Sequence, residues 1–97
     1  MPVNDELAHL IPSFFAQMTS DAGLMRDAVA AGDWNVLARL AHSARGHCML
    51  FGYQALTPWL RQINLAAKDG AAATLIIETA LSAFAAAVAL AEENHRV

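Results

Sequence analysis

Hydrophobic residues recur along this chain at intervals of three and four, the spacing that stacks side chains on one face of an α-helix. Phe14, Phe15, Met18, Met25 and Val29 form one such series, and Leu37, Leu40, Ala41, Ala44, Cys48 and Phe51 a second. Ile77, Leu81, Phe84, Val88 and Ala91 form a third. No stretch alternates β-branched and aromatic residues with polar ones, so strands are not expected. Turn residues cut the helical pattern into blocks. Asn4 suits the cap of a short first helix, and Pro12 suits the first turn of a second that runs to about Ala31. Gly32-Asp33 reads as a stop followed by a fresh cap, and a third helix then spans Trp34 to about Phe51, ending at Gly52. A fourth covers Tyr53 to Lys68 and ends at Asp69-Gly70. Thr57-Pro58 is an alternative start for it, with Tyr53 to Leu56 as a linking turn. The last helix runs from about Ala71 to Glu93. Connections this short hold no crossover, so consecutive long helices should lie antiparallel. The expected fold is all-α: an antiparallel up-down-up-down four-helix bundle with a short additional N-terminal helix, one domain over residues 1–97.

Composition narrows the class. The chain is 57% hydrophobic and 15% charged, too apolar for disorder. A formal net charge of -3 gives no general attraction to phosphate backbones, so nucleic acid is not an expected partner. The single cysteine, Cys48, rules out an internal disulfide and suits a reducing, cytoplasmic setting. The N-terminus lacks the basic and apolar regions of a signal peptide, and the starting methionine and short tails suggest a free-standing protein. The uncharged run from Thr79 to Ala91 is short and alanine-rich against the roughly 20 apolar residues of a spanning helix, so no membrane contact is expected.

The third helix carries the candidate chemistry. Projected at about 100° per residue, its core stripe leaves His42 on nearly the opposite side. Asn35, Ala38, Gly46 and Met49 fall within about 40° of that histidine, and Arg39 and Arg45 flank it at about 60°. Ala38 and Gly46 are small and leave the imidazole standing clear. Gly46 inside a helix costs on the order of 1 kcal/mol relative to alanine, so close approach by another surface is implied. Met49 offers an adaptable apolar contact, and Arg45 can fork onto the oxygens of a dianion. Singly, each has a plainer explanation: a surface histidine, a close helix contact, solvated charges. Their joint arrangement favours a reactive imidazole.

Other histidines fit less well. His47 projects toward the edge of the core, where a packed or hydrogen-bonded ring is expected. His42 and His47 diverge and lack the i, i+4 spacing of a metal pair, and His9 and His95 lie near the termini. No metal site is expected. Cys48 falls on the core face as a buried, unreactive thiol. No nucleophilic triad and no glycine-rich phosphate loop is present.

The segment Gly32 to Gly52, GDWNVLARLAHSARGHCMLFG, resembles the histidine-containing phosphotransfer (HPt) domain of bacterial multistep phosphorelays. The resemblance rests on Ala41-His42, Arg45-Gly46, Gly52 with Leu56 beyond it, and the Ala31 to Trp34 entry. It implies that His42 accepts a phosphoryl group from a receiver aspartate or a kinase and passes it to another receiver aspartate, with Arg45 stabilising the phosphoryl oxygens. It implies a ring-orienting contact from the next helix, at Asn64, which is one methylene shorter than the family's usual glutamine or glutamate; Gln62 is the second choice. Ala38, Arg39, Gly46 and Met49 would dock the partner. Arginine at position 45, where lysine is commoner, keeps the charge and changes its geometry. The resemblance further implies a carrier and not an enzyme, a monomer with no cofactor of its own. Mg²⁺ is expected on the partner receiver, and receiver domains or a hybrid histidine kinase are the expected partners. Two rivals stand beside it: a non-phosphorylated helical adaptor binding through the same face, and a metal- or haem-binding bundle.

Overall fold

The first two long helices end where a glycine lets the backbone turn back on its own last carbonyls. α1 (Ile11–Ala31) is closed by Gly32 N–H donating to Val29 O at 3.1 Å and Asp33 N–H to Ala28 O at 2.9 Å. α2 (Trp34–Leu50) ends the same way, with Gly52 N–H on Met49 O at 3.3 Å and Tyr53 N–H on Cys48 O at 2.8 Å. The Asp33 carboxylate caps the start of α2, accepting from Val36 N–H at 3.3 Å. The computed structural model describes residues 8–96. Beyond these two helices it contains α3 (Thr57–Ala66) and α4 (Thr74–Arg96), with 3₁₀ turns at Gln54–Leu56 and Ala67–Ala73. There is no strand among the described residues. The expected N-terminal helix and its Asn4 cap lie outside them.

The chain folds as an all-helical bundle. α1 packs on α2, α2 on α3 and α3 on α4, and α4 returns to α1. Met18, Met25, Leu37, Leu60, Ile63, Ile77 and Phe84 expose no surface between them, and burying a side chain of this size contributes roughly 1.5–3 kcal/mol. Phe14 stacks on Phe51 at 5.0 Å and on Tyr53 at 5.2 Å, closing one end of the core. Asp21 is the one buried charge among the described residues, its carboxylate accepting from Gln17 Nε2 at 2.8 Å.

Three boundaries differ from the sequence reading. α3 takes the Thr57-Pro58 start, with proline in the first turn, where its missing N–H costs nothing. Helix geometry stops at Ala66 instead of Lys68, and the chain reaches Thr74 through a 3₁₀ stretch, so α4 starts three residues later than expected and runs to Arg96. Gly70 breaks that stretch at φ 58°, ψ -132°, a region open essentially to glycine. Trp34 packs beneath it, and a Cβ at position 70 would stand 3.2 Å from the indole.

The helical run Gln54–His95 contains one window apolar enough to cross a bilayer by length and composition, with mean hydropathy 1.9 and a third of it buried. Gly70 interrupts the run, and α4 within it supplies Ile77, Leu81, Phe84 and Val88 to the core.

Gly70→Ala combines a forbidden backbone angle with a contact on the Trp34 ring. It is expected to lower stability by about 1–3 kcal/mol, measured as a lower urea midpoint at unchanged slope.

Candidate functional site

α2 is buried on one side and open on the other. Leu37, Ala41, Ala44 and Cys48 have no exposed surface. His42 is exposed, and its side chain makes no hydrogen bond among the described residues, so its ring is open to solvent. Arg39 is exposed and Arg45 half-buried. Ala38 is half-buried, while Gly46 and Met49 are exposed, Met49 at 51%.

Gly46 has no structural demand within the chain. A Cβ built there meets nothing within 4 Å, and the residue sits inside a regular helix. The plainer explanation, a close helix contact, is therefore excluded for the described residues. Together with exposed Met49 and Leu50, Gly46 makes a flat apolar shoulder one to two turns beyond His42.

Asn64 does not contact the His42 ring, as the sequence reading expected it to. Its Nδ2 donates to the Ala38 carbonyl at 2.9 Å across the α2–α3 interface. A side chain one methylene short of glutamine finds the nearer backbone acceptor first. In a regular helix that same carbonyl receives the His42 backbone N–H, so Asn64 holds the turn from which His42 projects. Gln62 is exposed, lining a groove with Trp59 and Ile76 as well as one with Arg45.

His47 is another departure. It is exposed, not packed at the core edge. The expected packed or hydrogen-bonded ring is therefore not found: His47 lies in the last turn of α2 with its side chain open to solvent. His9 is exposed, and the His95 ring sits 5.9 Å from that of Phe15. Among the described residues no group of three or more His, Cys, Asp and Glu side chains is placed to share a metal ion.

Sequence reasoning overlooked Arg61. It projects from α3 into a groove shared with Arg45, walled by Thr57, Pro58, Gln62 and Leu65. A signal for it exists in the chain. From Trp34 to Lys68 there is no Asp or Glu, yet Arg39, Arg45, Arg61 and Lys68 all lie there. That stretch carries +4, and the rest of the chain carries -7. The helix that carries His42 and the one packed on it, α3, thus bear positive charges alone in an otherwise acidic protein.

Cys48 is a separate matter. Its thiol packs against Met18 Sδ at 3.8 Å, and burial, with the nearby Asp21 carboxylate, pushes its pKa up to about 12. Because the folded state holds that proton more tightly than the unfolded state, this stabilisation is complete below about pH 9 and is lost as pH rises toward 12.

A family model described as Hpt domain matches residues 9–94. No curated protein and no solved structure matches the chain.

Two outcomes follow from this geometry. Cys48 should resist iodoacetamide at pH 8 in the native protein and react fully in denaturant, and conformational stability should fall between pH 9 and 12 in a Cys48-dependent way. Asn64→Ala should cost about 1 kcal/mol in chemical denaturation through loss of one interhelical hydrogen bond.

Proposed function

The chain belongs to the Hpt domain family and takes part in phosphorelay signalling, and on that premise we propose that His42 is its phosphoacceptor. The observation that carries this reading is the exposed, unbonded imidazole of His42 within the Ala41-His42, Arg45-Gly46 pattern. Near neutral pH an unprotonated imidazole offers a ring nitrogen lone pair. Nε2, the outer nitrogen, attacks phosphorus on a receiver aspartyl-phosphate. An N–P bond forms, the P–O bond to the carboxylate breaks, and the aspartate leaves with that electron pair. A second receiver aspartate, or the first in reverse, later takes the phosphoryl group by the same exchange.

Arg45 supports the step by presenting a guanidinium one turn from His42, where it can fork onto the phosphoryl oxygens. Asn64 acts on His42 indirectly, through the α2 backbone at Ala38. Ala38, Arg39, Gly46 and Met49 form the docking surface, and the open space over Gly46 suits a partner helix that comes close to the backbone. We assign Mg²⁺ to the partner receiver. Hard cations need oxygen ligands, and neither α2 nor α3 carries a carboxylate. The module is a carrier of phosphoryl groups without kinase machinery of its own, as Hpt domains are. In this reading the helices form an up-down-up-down bundle. The chain acts as a cytoplasmic monomer between receiver domains, or between a hybrid histidine kinase and a receiver.

Incubation with a phosphorylated receiver should give acid-labile, base-stable phosphate on the chain. His42→Gln should take up none and keep its stability within about 0.5 kcal/mol, because the residue is exposed. Phosphate retained on His42→Gln would sink the assignment, and signalling retained without phosphate would favour the adaptor.

A further inference from the structure

We propose that the groove between Arg45 and Arg61 binds a carboxylate side chain on the docking surface of the partner receiver, and that Arg61 helps decide which receivers this chain serves. The inference rests on the phosphotransfer reading of His42 and extends it to partner choice.

Position comes first. α2 and α3 run in opposite directions: Asn64 meets Ala38, while Pro58 shares a groove with Arg45. Counting three residues back from Asn64 and three forward from Ala38 brings Arg61 level with Ala41, one residue from His42. Arg61 is exposed, and Arg45 lies one turn beyond His42. Both guanidinium groups therefore border the reactive face on its α3 side. The groove has a volume of about 360 Å³ and is lined by Thr57, Pro58, Gln62 and Leu65 besides the two arginines. His42 is not part of its lining. A group held there sits beside the phosphoryl position and not on it.

Charge comes second. Neither arginine forms an ion pair among the described residues, and no acidic residue occurs anywhere from Trp34 to Lys68. Two cations that share one groove without a counter-charge favour an anion brought to them. Pro58 and the half-exposed Leu65 give the groove apolar walls beside the two guanidinium groups, and a carboxylate held between those groups makes charge-assisted bonds. Arg45 lies one turn from His42 on the same helix, so a partner seated over His42 would bring its own surface to the edge of the groove. Pairing of this kind acts mainly on encounter rate and partner discrimination.

The test uses receivers that discharge the phosphorylated wild-type chain. Arg61→Ala should lower kcat/KM for transfer about tenfold, with kcat at saturating receiver within about twofold, and should flatten the salt dependence of the rate. Arg61→Glu should lower kcat/KM by about a hundredfold, and changing the facing receiver carboxylate to lysine should restore most of that loss. Arg26→Ala, which removes an exposed charge from α1, should change nothing. Equal kcat/KM for wild type and Arg61→Ala would overturn the groove while leaving His42 as phosphoacceptor. A shortened phosphohistidine lifetime in Arg61→Ala with KM unchanged would also overturn it, by assigning Arg61 to the phosphoryl group. A wild-type chain that gains no acid-labile phosphate from any receiver would remove the phosphotransfer reading itself, and the groove proposal with it.

Discussion

The reactive face depends on how closely α3 approaches α2, and alanine sets that distance. On the α2 flank toward α3 the chain has Ala38 and Ala41, one half-buried and one fully buried. A larger residue at either position would push α3 outward and stretch the 2.9 Å bond from Asn64 to the Ala38 carbonyl. That bond fixes the register of the two helices. Together with the buried packing of α3 on α2, it holds Arg61 near the turn that carries His42. Alanine also costs the helix nothing in intrinsic propensity, so the close approach is obtained without weakening α2. Glycine would allow a closer contact still but would loosen the helix. Gly46 lies on the outer face, where nothing within the chain approaches it.

Charge is divided along the same line. α1 and α4 carry most of the acidic residues, and the stretch containing α2 and α3 carries none. Uniform sign on one face is unfavourable in isolation, since Arg39, Arg45 and Arg61 repel one another across a few turns. Solvent exposure keeps that cost small, because surface charges are screened within roughly 8–10 Å at physiological ionic strength. The same exposure leaves the cations available to an anionic partner. On the proposed role of His42, the partner brings an aspartyl-phosphate, itself an anion, to this face. A positive face on a net-negative protein therefore favours approach in one orientation over others.

The placement of His42 was legible in the sequence because a helix wheel fixes azimuth, and the stripe of Leu37, Ala41, Ala44 and Cys48 leaves no doubt which side faces inward. Azimuth does not give coverage, and His47 demonstrates the difference: the wheel projects it toward the core edge, yet it is exposed. Asn64 was picked out by its position relative to the motif. Its bonding partner was not legible, because choosing between the ring and a backbone carbonyl takes atomic distances that a one-dimensional pattern lacks. Arg61 is a case of another sort. It belongs to no periodic motif and matters only because two helices meet, although the absence of acids from Trp34 to Lys68 marks its neighbourhood in advance. The Asp69-Gly70 stop was visible, but the 3₁₀ continuation to Ala73 was not, since it reflects Trp34 packing under the turn.

Division of labour within α2 follows from these constraints. A carrier must hold its imidazole still enough for in-line attack and leave it unencumbered enough for two partners to reach. Direct hydrogen bonding to the ring would serve the first requirement at some expense of the second. Here the ring is unbonded and the backbone turn beneath it is fixed, by Asn64 from α3 and by the buried stripe from inside. Order is supplied at the Cα of His42 and freedom is left at Nε2. Side-chain torsions then remain to adapt to different receiver geometries, while the helix axis, and so the direction of approach, stays constant. On the proposed role of His42, discrimination between receivers falls to residues beside the histidine, on α2 and α3, because the imidazole itself presents the same chemistry to all of them.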